Sequence, residues 1–245
     1  MYLPNWFDVF NSVCERGQDT LKWGLPEPWV HAELYAELTK QAPSTGWAPF
    51  STEVPYVTFF PVQLPKKANR DWRAVGAVKW VDLCLQSKGR NAWCWFEFKV
   101  RHVGSHERKQ KAALSARDAF RKDVVALMGF DANLTAETWA RPDNYTTAYW
   151  FESVLKPDAP SLRSGEHHFV AAFLQLGDEL DPLVWAEKVL MEQIRKWFSY
   201  RSKQTDHQGT CLDIDIASSV QSLVGNHTLL LCEWASLLDK ERAGY

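Results

Sequence analysis

Residues Trp95-Phe96-Glu97-Phe98-Lys99-Val100 constrain the fold more than any other stretch of the chain. The run is apolar and aromatic at alternate positions, the pattern of a β-strand. Side chains alternate faces along a strand, so Glu97 and Lys99 share one face while Phe96, Phe98 and Val100 share the other. Trp and Phe flanking the charged pair predict a strand covered on both faces. A carboxylate and an ammonium inside such a strand need partners, and an ion pair or a metal supplies them. Upstream, Val78-Lys79-Trp80-Val81-Asp82-Leu83-Cys84-Leu85 reads as a second strand carrying Asp82. The turn signals Ser87-Lys88-Gly89-Arg90-Asn91 join the two as an antiparallel hairpin with a longer loop.

The remaining elements follow from spacing. Residues 1–26 read as a short helix and a loop. Pro28 near a helix start precedes Val30, Leu34 and Leu38 at helical spacing, with Glu33 and Glu37 one turn apart. Pro43-Ser44-Thr45-Gly46 reads as a loop, and residues 51–62 as a strand at a sheet edge or interrupted by Pro55. Phe120, Val124, Leu127 and Met128 form the apolar face of a helix that Gly129 terminates. Residues 146–155 and His168 to Leu176 read as strands. Asp181-Pro182 opens a long helix with apolar positions from Leu183 to Phe198. Strands over 211–216 and Thr228 to Trp234 close the chain. The fold class expected is α/β (α+β): a mixed central sheet flanked by helices.

Composition narrows the function classes. The chain has 245 residues, 46% of them hydrophobic and 24% charged, which suits a sizeable core. Its net charge is −2, so nucleic-acid binding would need a local patch. The start of the sequence lacks a signal-peptide pattern, and no run approaches the roughly 18 apolar residues of a membrane span. The five cysteines are scattered, without C-x-x-C spacing, which argues against a disulfide framework or a zinc site and predicts a reducing, cytoplasmic setting. The 13 tryptophans mostly alternate with aliphatics and read as an aromatic core rather than a sugar or base platform. Asp213 and Asp215 share a strand face, which reads as a polar outer face. The adjacent His167 and His168 point oppositely and cannot chelate together.

A carboxylate and an ammonium aimed at one spot from a rigid strand can hold a divalent metal beside an activated water. About one or two (D/E)-x-K triplets are expected by chance in such a chain; the other one here, Glu107-Arg108-Lys109, lies in a hydrophilic segment and reads as a solvated cluster. The Glu97 triplet differs by context. It follows an acid-bearing strand at hairpin distance and precedes a basic helical segment. Asp82 on one strand and Glu97-x-Lys99 on the next resemble the PD-(D/E)XK nuclease superfamily, with Val81-Asp82 where the family more often has Pro-Asp. The element order over residues 28–156 is similar to that family's αβββαβ restriction-endonuclease-like core. Residues 1–156 would then form the core with an N-terminal extension. Residues 157–245 would be a C-terminal α+β extension, continuing the same domain or forming a small subdomain.

The resemblance implies metal-dependent hydrolysis of phosphodiesters, DNA more than RNA, in a setting such as restriction, phage defence or repair. Asp82, Glu97 and the backbone carbonyl of Phe98 would hold Mg²⁺ or Mn²⁺, and Lys99 would orient the attacking water. A further acid is expected from the first strand, Glu53, or from Glu37 or Glu33 on the helix. Basic residues crowd two stretches: Arg117 and Arg121, one turn apart, could grip a phosphate backbone, and Lys66, Lys67 and Arg70 form a second cluster at the substrate rim. The expected partner is nucleic acid and not a membrane, with a homodimer or a partner subunit left open. The rival reading is an inactive nuclease-fold protein serving as a nucleic-acid-binding or assembly module.

Overall fold

The computed structural model describes residues 3–17, 27–57, 78–87, 89, 91–102, 119–120, 123–124, 126–127, 165–176 and 217–235. Helix α1 spans Trp6–Arg16. Its buried residues Trp6, Val9, Phe10, Val13 and Cys14 recur at the three-and-four spacing of one helix face. Asn5 caps it by accepting from the Asp8 amide, and the Gly17 N–H closes its end on the Val13 carbonyl. Helix α2 spans Glu27–Thr45 and buries Val30, Leu34, Leu38 and Ala42. It runs through Pro43, where the sequence pattern predicts a loop. A proline in the last turn forfeits one helical bond. The Ser44 and Thr45 hydroxyls bond the Gln41 carbonyl, and Gly46, at φ +75°, turns the chain out.

Strands β1 (Trp47–Val57), β2 (Val78–Ser87) and β3 (Ala92–His102) form an antiparallel meander. β4 (Glu166–Leu176) then lies parallel to β3, and β5 (Ala217–Leu223) and β6 (His227–Ala235) form a hairpin whose β6 pairs antiparallel with β4. The sheet order is β1-β2-β3-β4-β6-β5, a six-stranded mixed sheet in an α+β fold. β3 and β4 are its two central strands; the proline-bearing β1 is an edge and runs through Pro55 uninterrupted, so of the two alternatives Pro55 left open the edge position is the one found. The strand expected over 146–155 and the helix from Asp181 lie outside the described residues. So does the strand expected over 211–216; the strand described begins at Ala217.

Each sheet face is covered by different elements. α1 and α2 pack on the face formed by Cys94, Phe96, Phe98, Val170, Ala172 and Leu174. Trp6 stacks on Phe96 with ring centroids 4.6 Å apart, and His31 meets Phe98 edge-on at 5.5 Å. The opposite face carries Trp93, Trp95, Glu97 and Lys99 from β3, matched in register by His167, Phe169, Ala171 and Phe173 of β4. A parallel pair needs a crossover, and helical residues in that connection pack Phe120 on Phe173 at 5.4 Å. His167 and His168 do point oppositely: His167 accepts a hydrogen bond from the Trp95 indole at 2.9 Å, while His168 meets Trp47 on the other side. Trp6, Trp47, Trp93, Trp95 and Trp234 are all buried, so these tryptophans build core.

Cys14, Cys84, Cys94 and Cys232 are buried free thiols. Burial pushes the Cys14 and Cys232 thiols up to about 12, which keeps them protonated and unreactive. Among the described residues no helix is long and apolar enough to cross a membrane.

Arg16 at the end of α1 binds Glu33 at 2.9 Å and the buried Glu37 at 2.6 Å, fastening α1 to α2. Burial would raise the Glu37 carboxyl, but hydrogen bonds from Gln41 and Arg16 and the charges of Arg16 and Lys40 hold it below its ordinary value. A depressed carboxyl adds stability above its unfolded value of about 4.3, and that stability is lost as the pH falls through the folded value. Arg16→Ala is therefore expected to cost about 1–2 kcal/mol at pH 7, a figure discounted for solvent screening of the guanidinium, whose side chain is 39% exposed. The difference should shrink in urea titrations near pH 3.5. A difference that ignores pH would assign the effect to the packing of the arginine stem.

Candidate functional site

The β2–β3 ladder stops at Leu83 opposite Phe96. Asp82 and Glu97 are the next residues on each strand, so they face each other on one side of the sheet. In a continued ladder the Phe98 N–H would bond to the β2 backbone. Instead it donates to Asp82 Oδ2 at 2.8 Å. The Asp82 side chain thus ends the sheet pairing at the point where the acids meet. The N–H and C=O of one strand residue point to the same neighbouring strand, so the Phe98 carbonyl faces this same gap. The Phe98 side chain lies on the opposite face against His31.

Glu97 is 3% exposed. Its carboxyl is pushed well above the usual range, first by burial, then by the nearby charges of Asp82 and Asp123 and by a hydrogen bond with Asp82; Lys99 opposes these. Burial and the neighbouring acids thus favour the protonated form of Glu97. Lys99 donates to Glu27 Oε1 at 3.0 Å and lies 3.5 Å from Asp123 Oδ2. Burial alone would lower the Lys99 ammonium, but Asp82, Asp123 and Glu27 outweigh it and raise its value. It stays charged across any working pH.

The structure thus brings Asp82, Glu97, the Phe98 backbone and Lys99 together. Glu53 holds the register position opposite Asp82, since its neighbours Thr52 and Val54 pair with Leu83 and Val81. Glu33 and Glu37, the helix acids expected as alternatives, are paired with Arg16. Arg117, Arg121, Lys66, Lys67 and Arg70 lie outside the described residues. Spacing does not reveal Glu27 and Asp123 as partners of Lys99. The one local signal is an aspartate set among Phe120, Val124 and Leu127 on an apolar helix face.

Carboxylate and carbonyl oxygens are the donors that hard divalent cations prefer, and a cation would relieve the repulsion that keeps Glu97 protonated. Among the described residues, no group of three or more His, Cys, Asp or Glu side chains is gathered to hold a metal ion. The oxygens that could serve a cation here are those of the Asp82 and Glu97 carboxyls and the Phe98 carbonyl.

The same electrostatics give a stability prediction. A carboxyl raised in the folded state contributes its stability below the unfolded value of about 4.3 and loses it as the pH rises through the folded value. A glutamine in place of Glu97 would keep a donor to Asp82 with no proton to lose. Glu97→Gln is thus expected to stabilise the metal-free protein by about 1–3 kcal/mol at pH 8 and not at pH 4. Urea unfolding at the two pH values measures this. A destabilised variant at pH 8 would contradict the strained acid pair.

Compared with known proteins, the chain matches no family model, no curated protein and no solved structure.

Proposed function

We propose that this protein is a metal-dependent nuclease built on a PD-(D/E)XK, restriction-endonuclease-like core, acting on DNA more than RNA. The observation that carries the reading is the meeting of Asp82, Glu97 and Lys99 on one sheet face where the β2–β3 ladder ends. The order of elements is in keeping with it: two helices, three antiparallel strands, helical residues in the crossover and a parallel strand, although that strand is Glu166–Leu176, beyond the 28–156 span expected for the core.

In this reading Asp82 and Glu97, with the Phe98 carbonyl, would hold Mg²⁺ or Mn²⁺, which when bound would supply the charge that polarises a phosphodiester and acidifies a water. Lys99 would offer a fixed positive charge that orients the water and offsets negative charge building on the phosphate. Glu53, opposite Asp82, is the further acid, and Arg117, Arg121, Lys66, Lys67 and Arg70 would track the nucleic-acid backbone.

A second reading is favoured by the lack of a three-residue ligand group among the described residues. It is an inactive relative of the same fold that binds nucleic acid or assembles with a partner subunit. One experiment separates the two. Linear, circular, single-stranded and branched DNA, and RNA, are incubated with the protein and Mg²⁺ or Mn²⁺, and in parallel with EDTA. Cutting that EDTA abolishes and Asp82→Asn loses supports the nuclease. Folded protein that binds DNA with steep salt dependence but cuts nothing supports the module.

A further inference from the structure

Lys99 is the register partner of Phe173, and Phe120 packs on Phe173. Asp123 follows Phe120 by one helical turn, so this packing sets its carboxylate over Lys99, 3.5 Å from the ammonium. The surrounding helical residues Phe120, Val124, Ala126 and Leu127 are buried and apolar. An aspartate here adds negative charge beside Glu97, and the Lys99 ammonium lies within ion-pair distance of it.

Among the described residues Glu27 and Asp123 make ion pairs with Lys99, beside the charge of Asp82, and the two pairs differ in setting. Glu27 makes the shorter contact but is 39% exposed, where water and salt weaken an ion pair. Asp123 is 12% exposed, and its field acts through less solvent.

We propose that Asp123 is the positioning residue for Lys99: a carboxylate carried by the crossover helix that fixes the lysine ammonium relative to the Asp82–Glu97 pair. The proposal rests on the nuclease reading for its catalytic consequence. Asp123 touches neither metal nor substrate. It holds the group that does, so its loss should misplace a charge and leave ligand binding intact.

The test compares wild type with Asp123→Asn, Asp123→Glu and Glu27→Gln, each first shown to be folded by its thermal transition. Steady-state DNA cleavage is measured over substrate and Mg²⁺ concentration. In parallel, the Lys99 side-chain ammonium is observed by ¹⁵N-edited NMR, where only a held ammonium gives a sharp signal. Asp123→Asn is expected to lower kcat by about 10–100-fold, since small displacements of a catalytic group have effects of that order. KM and the half-saturating Mg²⁺ concentration should stay within about twofold, and the ammonium signal should vanish. Asp123→Glu should restore part of kcat, and Glu27→Gln should cost less than about threefold, as an exposed pair does.

An unchanged kcat with the ammonium signal retained would overturn the proposal. So would a large shift in half-saturating Mg²⁺, which would make Asp123 a ligand, or a greater loss from Glu27→Gln than from Asp123→Asn. Wild type that cuts nothing would sink the nuclease reading. Positioning would then stand or fall on whether Asp123→Asn abolishes the Lys99 ammonium signal.

Discussion

Lys99→Ala is expected to reduce metal-dependent cleavage by about 10²–10³-fold, the loss seen when one preorganised stabiliser of transition-state charge is removed. Lys99 is the cation that the structure sets among Asp82, Glu97, Asp123 and Glu27. Asp82, Asp123 and Glu27 hold it charged, so it cannot serve as a general base near neutral pH. In the proposed nuclease its contribution would be a positive charge at a fixed point. Removing it also leaves the carboxylates facing one another, and a stability loss of about 1–3 kcal/mol should accompany the activity loss. Assays well below the melting transition separate the two effects. Lys99→Met, which keeps the aliphatic stem, should lose as much cleavage. Retention of a third or more of wild-type activity in either variant would remove Lys99 from the mechanism.

Phe96→Ala is expected to cost about 3–5 kcal/mol, the range for deleting a fully buried aromatic side chain. Phe96 lies on a central strand, stacked on Trp6 at 4.6 Å and flanked by Phe10 at 6.2 Å. It therefore joins α1 to the sheet directly behind the acid pair. A typical domain is stable by only about 5–15 kcal/mol, so this single change should consume a large part of the margin. Trp6→Phe keeps a ring in the stack and should cost markedly less. Urea midpoints measure both. A Phe96→Ala loss under about 1 kcal/mol would mean that the α1–sheet contact closes without it.

The central hairpin is legible in the sequence because burial on both faces leaves an unbroken aromatic and aliphatic alternation. Within that frame period two places Glu97 and Lys99 together, and hairpin register brings Asp82 opposite. The edge position of β1 is legible through Pro55. What pattern does not reach is set by tertiary context. Glu27 is 72 positions from Lys99, and only packing of α2 on the sheet brings them together. β5 carries Ser218, Ser219, Gln221 and Ser222, a weak strand pattern that becomes a strand because β6 offers it a ladder. The helix α2 outlasts its pattern at Pro43 because a last-turn proline with hydroxyl caps looks, in sequence, like a turn.

The β5–β6 turn is tied to α1 by a hydrogen bond from the Val224 amide to the Asn11 side chain, spanning 213 positions. This sets the order in which the protein can be made. α1 contributes Trp6 and Phe10 to the core yet finds this anchor only after the last strands exist. The parallel β3–β4 pair likewise waits for its crossover. Such non-local closures slow folding, because loop closure costs entropy before the contacts form. Until the final hairpin docks, one edge of β4 stands open, and a newborn chain would need shelter from its neighbours on the ribosome.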